Sequence, residues 1–221
     1  GIKFSEKYDD QSSDIMTMFG AIATGTPIKD YAKALVSEKP SGESFNYASI
    51  DTNILGFLIE AVTKKSPAQY LEERIWAPLG MESDAYWNLD NAGTVLTFMG
   101  LNVTARDYAK FGRLYLNQGQ WNGKQILPAQ WVADSVKPDK AYLALKDYYY
   151  PGFDIGYQYQ WWVPAGDDGE FTGIGVWGQY LYVNPAQKLI IVKNSVDPGF
   201  ELRDMETMAA FRAIGDYVSS R

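Results

Sequence analysis

Apolar residues at Ile54, Leu55, Leu58, Ile59 and Val62 recur three and four apart, the spacing that lines one side of a helix. Next comes Ser66-Pro67-Ala68-Gln69, a capping box that predicts a further helix to about Ile75. Thr104-Ala105-Arg106-Asp107 has the same form, with Asp107 able to return a bond to the cap of a helix ending near Asn117 and Gly119. Pro128 leads another helix carrying Trp131 and Val132. Earlier in the chain, Thr26-Pro27 opens a helix to about Leu35, with Thr26 as N-cap and Pro27 at its first position. Residues 1–26, rich in Asp, Ser and Gly, read as loop. Near Tyr157 the period changes from helix to strand. YQYQWWVP, GVWGQYLYV and KLIIVKNSV are aromatic and β-branched runs separated by turn signals at Asp167-Asp168-Gly169 and Asn184-Pro185, and they read as three antiparallel strands. A closing helix from about Asp204 is expected to bury Met205, Met208, Ala209 and Ile214. No repeat or linker divides the chain, so residues 1–221 read as one α+β domain, 1–155 mainly helical and 156–221 a strand meander plus the terminal helix.

Composition narrows the chemistry. With 46% hydrophobic and 21% charged residues the chain can build a sizeable core. Its net charge of −7 leaves no basic stripe to displace counterions from a phosphate backbone, so nucleic acid is not an expected partner. No run approaches the roughly 18 apolar residues of a membrane span, and GIKFSEKYDD lacks the regions of a signal peptide. There is no histidine and no cysteine. That excludes a Ser-His-Asp triad, a thiol nucleophile, an iron–sulfur cluster and a cysteine-type zinc site, and no cofactor or metal is expected. The compartment, periplasmic or secreted against cytoplasmic, stays open.

Tyr47-Ala48-Ser49 then stands out, a tyrosine two residues before a serine on a loop ahead of the Ile54 helix. By itself such a tyrosine is more often a half-buried packing residue. Its surroundings, GESFNYASIDTNILGFLIEAVTKKSPAQYLEERIWAPLGM, resemble the Y-x-N/S region of serine hydrolases of the β-lactamase/penicillin-binding-protein superfamily, and TARDYAKFGRLYLNQGQWNGKQILPAQWV resembles that superfamily's next block. Within it the chain is similar to the 6-aminohexanoate-oligomer (nylon-oligomer) hydrolases and their carboxylesterase relatives, through GIKFSEKYDD and through QWW followed by GIGVWGQ.

The resemblance implies an antiparallel sheet flanked by helices and three catalytic elements: an S-x-x-K nucleophile, the tyrosine of Y-x-N/S, and a strand motif, K-T-G or a variant. Tyr47-Ala48-Ser49 matches the second and Gly173-Ile174-Gly175, followed by Val176, the third. The chemistry suits these residue types. A serine hydroxyl needs a base, and a phenol of pKa about 10 becomes one only beside a cation such as lysine. Ser49 would hydrogen-bond the lysine or the substrate. The Gly175-Val176 strand would offer the Val176 N–H to an oxyanion, with glycines admitting substrate close to the backbone. Tyr8 matches a substrate-contacting tyrosine, and Trp177 and Gln179 flank the oxyanion strand as candidate pocket residues, although strand aromatics more often pack across strands.

Two departures shape the expected function. No serine has a lysine three residues later: Ser5 leads to Tyr8, Ser44 to Tyr47, Ser49 to Thr52 and Ser66 to Gln69. In the family this motif precedes Y-x-N/S, so the expectation is the C-terminal portion of a fold whose N-terminal part, with nucleophile and lysine, belongs to an absent segment of the same protein. Gly173 stands where K-T-G has lysine, which turns the expected activity from β-lactams toward esters or linear amides, through an acyl-enzyme. The alternative is a non-catalytic binding or regulatory homologue that keeps the cleft. An incomplete fold should show an exposed apolar sheet edge or face.

Other residues have blander readings. Asp9, Asp10 and Asp14 lack EF-hand spacing and read as solvated loop acids. Trp161 and Trp162 must point to opposite faces of one strand, and Tyr148-Tyr149-Tyr150 read as a loop tip.

Overall fold

A computed structural model describes residues 1–148 and 151–221, so that only Tyr148 of the three loop tyrosines is seen. The chain forms two compact units, one of residues 1–77 and 83–103 and one of residues 78–82 and 104–221.

The first unit is helical. α1 (Asp14–Ala23) lies inside the segment expected to be loop. Ser13 caps it, accepting the Met16 N–H, and Ile15, Met18, Phe19 and Ile22 repeat at i, i+3, i+4 and i+7, an apolar stripe that the flanking Asp and Ser residues mask in the sequence. α2 (Ile28–Lys33) begins one residue later than predicted, with Pro27 as N-cap; the side chain that serves its first N–H is not Thr26 but Asp90, 2.9 Å from Ile28 N. α3 (Ser49–Thr63) is the predicted Ile54 helix, but another face is buried. Ile50, Asn53 and Gly56 point inward, whereas Leu55, Leu58 and Val62 are 50%, 53% and 80% exposed, an apolar stripe facing outward. Gly56 is required by a close approach: a Cβ there would lie 2.5 Å from Thr97 Oγ1, and Thr97 is tied to α3 through Thr52 O and Asn53 Oδ1. α4 (Pro67–Leu71) has the expected capping box and runs through a π-helical turn, Glu72–Trp76, into the short α5 (Ala77–Leu79). β1 (Tyr86–Trp87) pairs with β2 (Leu101–Asn102). The unit's core joins Phe4, Ile15, Met18, Ile28, Ala48, Ile50 and Leu96.

The second unit is a sheet between helices. α6 (Ala105–Leu116) has the predicted cap, Thr104 Oγ1 accepting Asp107 N–H and donating to Asp107 Oδ2, and the helix is followed by Gly119 at φ +81°. The hairpin β3 (Gln120–Trp121) and β4 (Lys124–Gln125) and then α7 (Ala129–Ser135) come next. Six antiparallel strands follow: β5 (Ala144–Leu145), β6 (Ile155–Gln158), β7 (Trp161–Pro164), β8 (Phe171–Gly175), β9 (Gln179–Asn184) and β10 (Leu189–Lys193), in spatial order 10-9-8-7-6-5. Two predicted strands are thus hairpins. YQYQWWVP folds back at Tyr159 and Gln160, both at positive φ, and GVWGQYLYV turns at Val176–Gly178. The turn in YQYQWWVP is concealed because neither Tyr159 nor Gln160 is a residue that normally signals one.

β9 shows why the sheet is sandwiched. Leu181 and Val183 share one face with Tyr115, Val132, Trp161 and Phe171, while Tyr180 and Tyr182 on the other pack against Phe211 of α8 (Asp204–Ser219), with ring centroids 5.5 and 5.2 Å apart. α6 meets the first face closely enough that a Cβ on Gly112 would come within 2.9 Å of Leu181 Cδ1. α8 buries Asp204, Met208, Phe211 and Gly215; of the predicted residues only Met208 is buried, and Met205, Ala209 and Ile214 face solvent. Trp161 and Trp162 do take opposite faces and both are buried, the second against Tyr148 and Tyr157. Among the described residues β10 pairs only with β9 and forms one sheet edge, and no helix is long and apolar enough to cross a membrane.

Candidate active site

The site residues of the first unit gather where α3 begins. Ala48, in extended conformation, is its N-cap and offers no side-chain oxygen, leaving the first N–H groups to be met from elsewhere. Glu6 meets them. Its Oε2 accepts the Ser49 N–H at 3.0 Å, while Oε1 accepts both the Ser49 hydroxyl and the Tyr8 phenol, the latter at 2.8 Å. A carboxylate here also complements the positive end of the helix.

What brings a residue 43 positions upstream to this helix is a set of anchors on the leading segment. Ser5 N–H and Oγ–H both donate to Asp14 Oδ2, at 2.8 and 3.0 Å, and Asp14 N–H donates back to Ser5 Oγ at 2.9 Å. Asn46 Nδ2 donates to Phe4 O at 3.2 Å, and Phe4 is buried in the core beside Ala48 and Ile50. Lys3 N–H donates to Val36 O at 2.9 Å. Glu6 and Tyr8 therefore protrude from a segment fixed on both sides.

Burial pushes the Glu6 carboxyl above its ordinary value, and the hydrogen bonds from Ser49 and Tyr8 only partly offset this. Burial also pushes the Tyr8 phenol well up, reinforced by the Glu6 charge, by the hydrogen bond to it and by the charge Tyr47 would carry. Tyr8 is accordingly a proton holder, not a base. Tyr47, half-buried, is close enough to Tyr8 for its charge to register there. Ser49 is 8% exposed and gives its hydroxyl proton to Glu6, which leaves its oxygen to accept.

In the second unit the predicted residues share one hairpin. Gly173, Ile174 and Gly175 lie on β8 opposite Leu181, Tyr180 and Gln179 of β9. Val176 is not on the strand as expected but at the first position of the turn, closed by Gly178 N–H donating to Gly175 O at 3.0 Å. The turn places Trp177 at φ +65°, an uncommon conformation for an aromatic residue. It leaves Val176 and Trp177 44% and 54% exposed. Gln179 binds the backbone of Ser195 with both ends of its amide, Oε1 accepting Ser195 N–H at 3.2 Å and Nε2 donating to Ser195 O. Asp197 N–H donates to Trp177 O at 3.1 Å, a second strap on the turn. A Cβ on Gly173 would meet only Tyr108 Oη, at 3.5 Å, so the packing does not exclude a side chain there.

Structure thus joins Tyr8 to Ser49 through a residue that the sequence reading passes over. Glu6 carried no motif, and nothing local signals a carboxylate that acts at a distant helix end. Of the acids considered for calcium, Asp10 accepts Ser12 N–H and Oγ–H, and Asp14 holds Ser5. Among the described residues no group of three His, Cys, Asp or Glu side chains is placed to hold a metal.

The Beta-lactamase family model matches residues 5–213, and the chain belongs to that family. It is 29% identical over 210 residues to the 6-aminohexanoate-dimer hydrolase of Paenarthrobacter ureafaciens, a match covering 91% of this chain and 53% of that protein. A solved structure from Bacillus anthracis, provisionally assigned as a 6-aminohexanoate-dimer hydrolase, superposes with a TM-score of 0.86 at 30% identity, over 100% of this chain and 59% of the other. A penicillin-binding protein of Bacillus halodurans shares the fold, with a TM-score of 0.62 at 16% identity over 83% of this chain and 62% of that one. The chain thus spans little more than half the length of its hydrolase relatives.

Proposed function

We propose that the whole protein hydrolyses esters or linear amides through an acyl-enzyme, and that this chain supplies to the chemistry Tyr47, Ser49 and Tyr8 from its first unit and the β8–β9 hairpin from its second. The observation that carries the reading is the cluster at the start of α3, where Tyr8 and Ser49 share one carboxylate beside Tyr47. Tyr47 would move the proton between a nucleophilic serine and the leaving group, next to a lysine; both serine and lysine come from outside these 221 residues. The Val176 N–H would be one of two donors to the oxyanion. Gly173 in place of lysine, with room for a side chain, supports a substrate without the carboxylate of a β-lactam at that position. The names of the relatives make the 6-aminohexanoate dimer the first linear amide to try.

A second reading has its own observation: no serine of this chain has a lysine three residues on, which favours a binding or regulatory homologue. Intact mass after incubation of the whole protein with a fluorophosphonate separates the two. One adduct, with Tyr47→Phe lowering turnover by about 10²–10⁴-fold as loss of general acid–base catalysis does, supports the hydrolase. An unmodified protein that still binds the dimer supports the homologue.

A further inference from the structure

We infer that Glu6 is a positioning residue for this site: by accepting the Ser49 and Tyr8 hydroxyl protons together, it turns both oxygens into acceptors and biases the site toward substrates that bring N–H donors. This deepens the proposed hydrolase reading and rests on it. The geometry is that of one carboxylate serving three donors. Ser49 N–H occupies Oε2 at 3.0 Å, and the Tyr8 phenol, at 2.8 Å, shares Oε1 with the Ser49 hydroxyl. Each hydroxyl has a single proton. With that proton committed to Glu6, what Ser49 and Tyr8 can still offer a ligand is lone pairs. Such a pair of oxygens, backed by a negative charge, accepts from an amide N–H, from an amine leaving group, or from an ammonium. It gains nothing from an aryl ester, whose leaving oxygen has no hydrogen to donate.

Burial and fixed anchors make this arrangement more than a surface contact. Ser49 is 8% exposed, Ala48 and Ile50 beside it are in the core, and the Ser5–Asp14 clasp and the Asn46–Phe4 bond hold the segment that carries Glu6. Glu6→Gln keeps the volume but brings an NH2 group. One amide oxygen cannot replace two carboxylate oxygens: either the NH2 group faces the Ser49 N–H, or the amide turns over and the Ser49 and Tyr8 protons are released, and in both orientations the negative charge behind the two hydroxyls is lost.

The test compares the whole protein with its Glu6→Gln and Glu6→Asp variants, all with thermal melts to verify folding, on a linear amide and on a p-nitrophenyl ester of the same acyl group. Glu6→Gln is expected to lower kcat/KM for the amide about 10–100-fold, as loss of one charge-assisted positioning contact does, and for the ester less than about threefold. Glu6→Asp should recover part of the amide loss. Equal losses on both substrates, or none on either, overturn the inference. Tyrosine Cζ NMR, with Tyr8 assigned through Tyr8→Phe, supplies a readout independent of turnover. In the wild type Tyr8 should stay protonated past the pH of about 10 where tyrosines ordinarily ionise, and in Glu6→Gln it should titrate at lower pH. An unchanged Tyr8 titration refutes the shared-carboxylate account. If the wild type turns over neither substrate while Tyr8 shifts as expected, the hydrolase reading fails and Glu6 keeps its role in orienting the two hydroxyls.

Discussion

Replacing Asp90 with alanine probes the clamp that sets α2 against the core from which Glu6 and Ser49 are built. Asp90 is 6% exposed and accepts three backbone N–H groups: Ile28 at 2.9 Å through Oδ2, and Ala92 and Thr94 at 3.0 and 2.8 Å through Oδ1. Ala92 is exposed and Thr94 half-buried, so water can replace the carboxylate at those two donors. Ile28, with 0% exposure in the core, has no such recourse. Leaving that N–H unsatisfied is also the loss of the helix cap, one cost of about 1–3 kcal/mol centred on about 2 kcal/mol. For a chain of this size about 2 kcal/mol is a fall in Tm of roughly 4–8 °C, at about 2–4 °C per kcal/mol. Asp90→Asn should be milder, since its single carbonyl oxygen can keep the Ile28 N–H while water meets the Ala92 and Thr94 donors. The acid side gives a check on sign. Burial raises the Asp90 carboxyl, but the three backbone bonds outweigh it and hold the group below its ordinary value. A depressed carboxyl adds stability above its unfolded pKa of about 4 and loses it as pH falls further. Melts by circular dichroism at neutral pH and in acid should therefore show a gap between wild type and Asp90→Ala that narrows as pH falls below about 4. A gap under about 0.5 kcal/mol at neutral pH, the range of an ordinary surface change, would refute the clamp.

Two other changes follow from the second unit. Gln179→Ala removes both bonds to the Ser195 backbone and should cost about 1 kcal/mol, with faster tryptic cleavage after Lys193; unchanged cleavage kinetics would contradict the strap. Asp204 is 1% exposed, one oxygen bound to the Tyr180 hydroxyl and the other buried without a partner, and burial raises its carboxyl to about 6. A folded pKa above the unfolded one stabilises at low pH and loses that contribution as pH rises through about 6, so Asp204→Asn should remove a decline of about 2–3 kcal/mol between pH 4 and 7 in urea titrations. The same slope in both proteins would rule Asp204 out as its source.

The sequence was most legible where a local rule governs. The capping box at Ser66 and the N-cap at Thr104 appear as read, because cap and partner are three residues apart, although Asp107 accepts from the Thr104 hydroxyl and not from its backbone N–H. It was least legible where a distant residue does the work. Thr26 looks like the cap of α2, yet the carboxylate that serves it is 62 residues away, and Glu6 reaches the start of α3 across 43. Hydrophobic period located α3 and α8 without fixing the buried face, since Leu55, Leu58 and Val62 satisfy the period as well as Ile50 and Phe57 do, and of the residues expected inside α8 only Met208 is buried. Period alone cannot say which of two apolar stripes meets the core. The strand region lost its turns for a different reason: Tyr159 and Gln160 adopt positive φ with no glycine or asparagine to mark it, and at Trp177 the lone Gly178 that follows sits within an aromatic run.

Without histidine, the two phenols near α3 must be told apart by their surroundings. A tyrosine serves as base only if its proton can leave, and every neighbour of Tyr8 save one opposes that. Burial, the Glu6 charge and the hydrogen bond to it all favour the neutral phenol; only a hydrogen-bonding contribution from Ser49 works the other way. A phenolate on Tyr8 would also repel one on Tyr47, and ionisation of either discourages the other. A proton locked on Tyr8 is consistent with the proposed assignment of the proton-transfer role to Tyr47. Burial contributes most to holding the proton on Tyr8, and the charge of Glu6 adds to it. Moving that charge is expected to narrow the difference between the two phenols before it changes the fold.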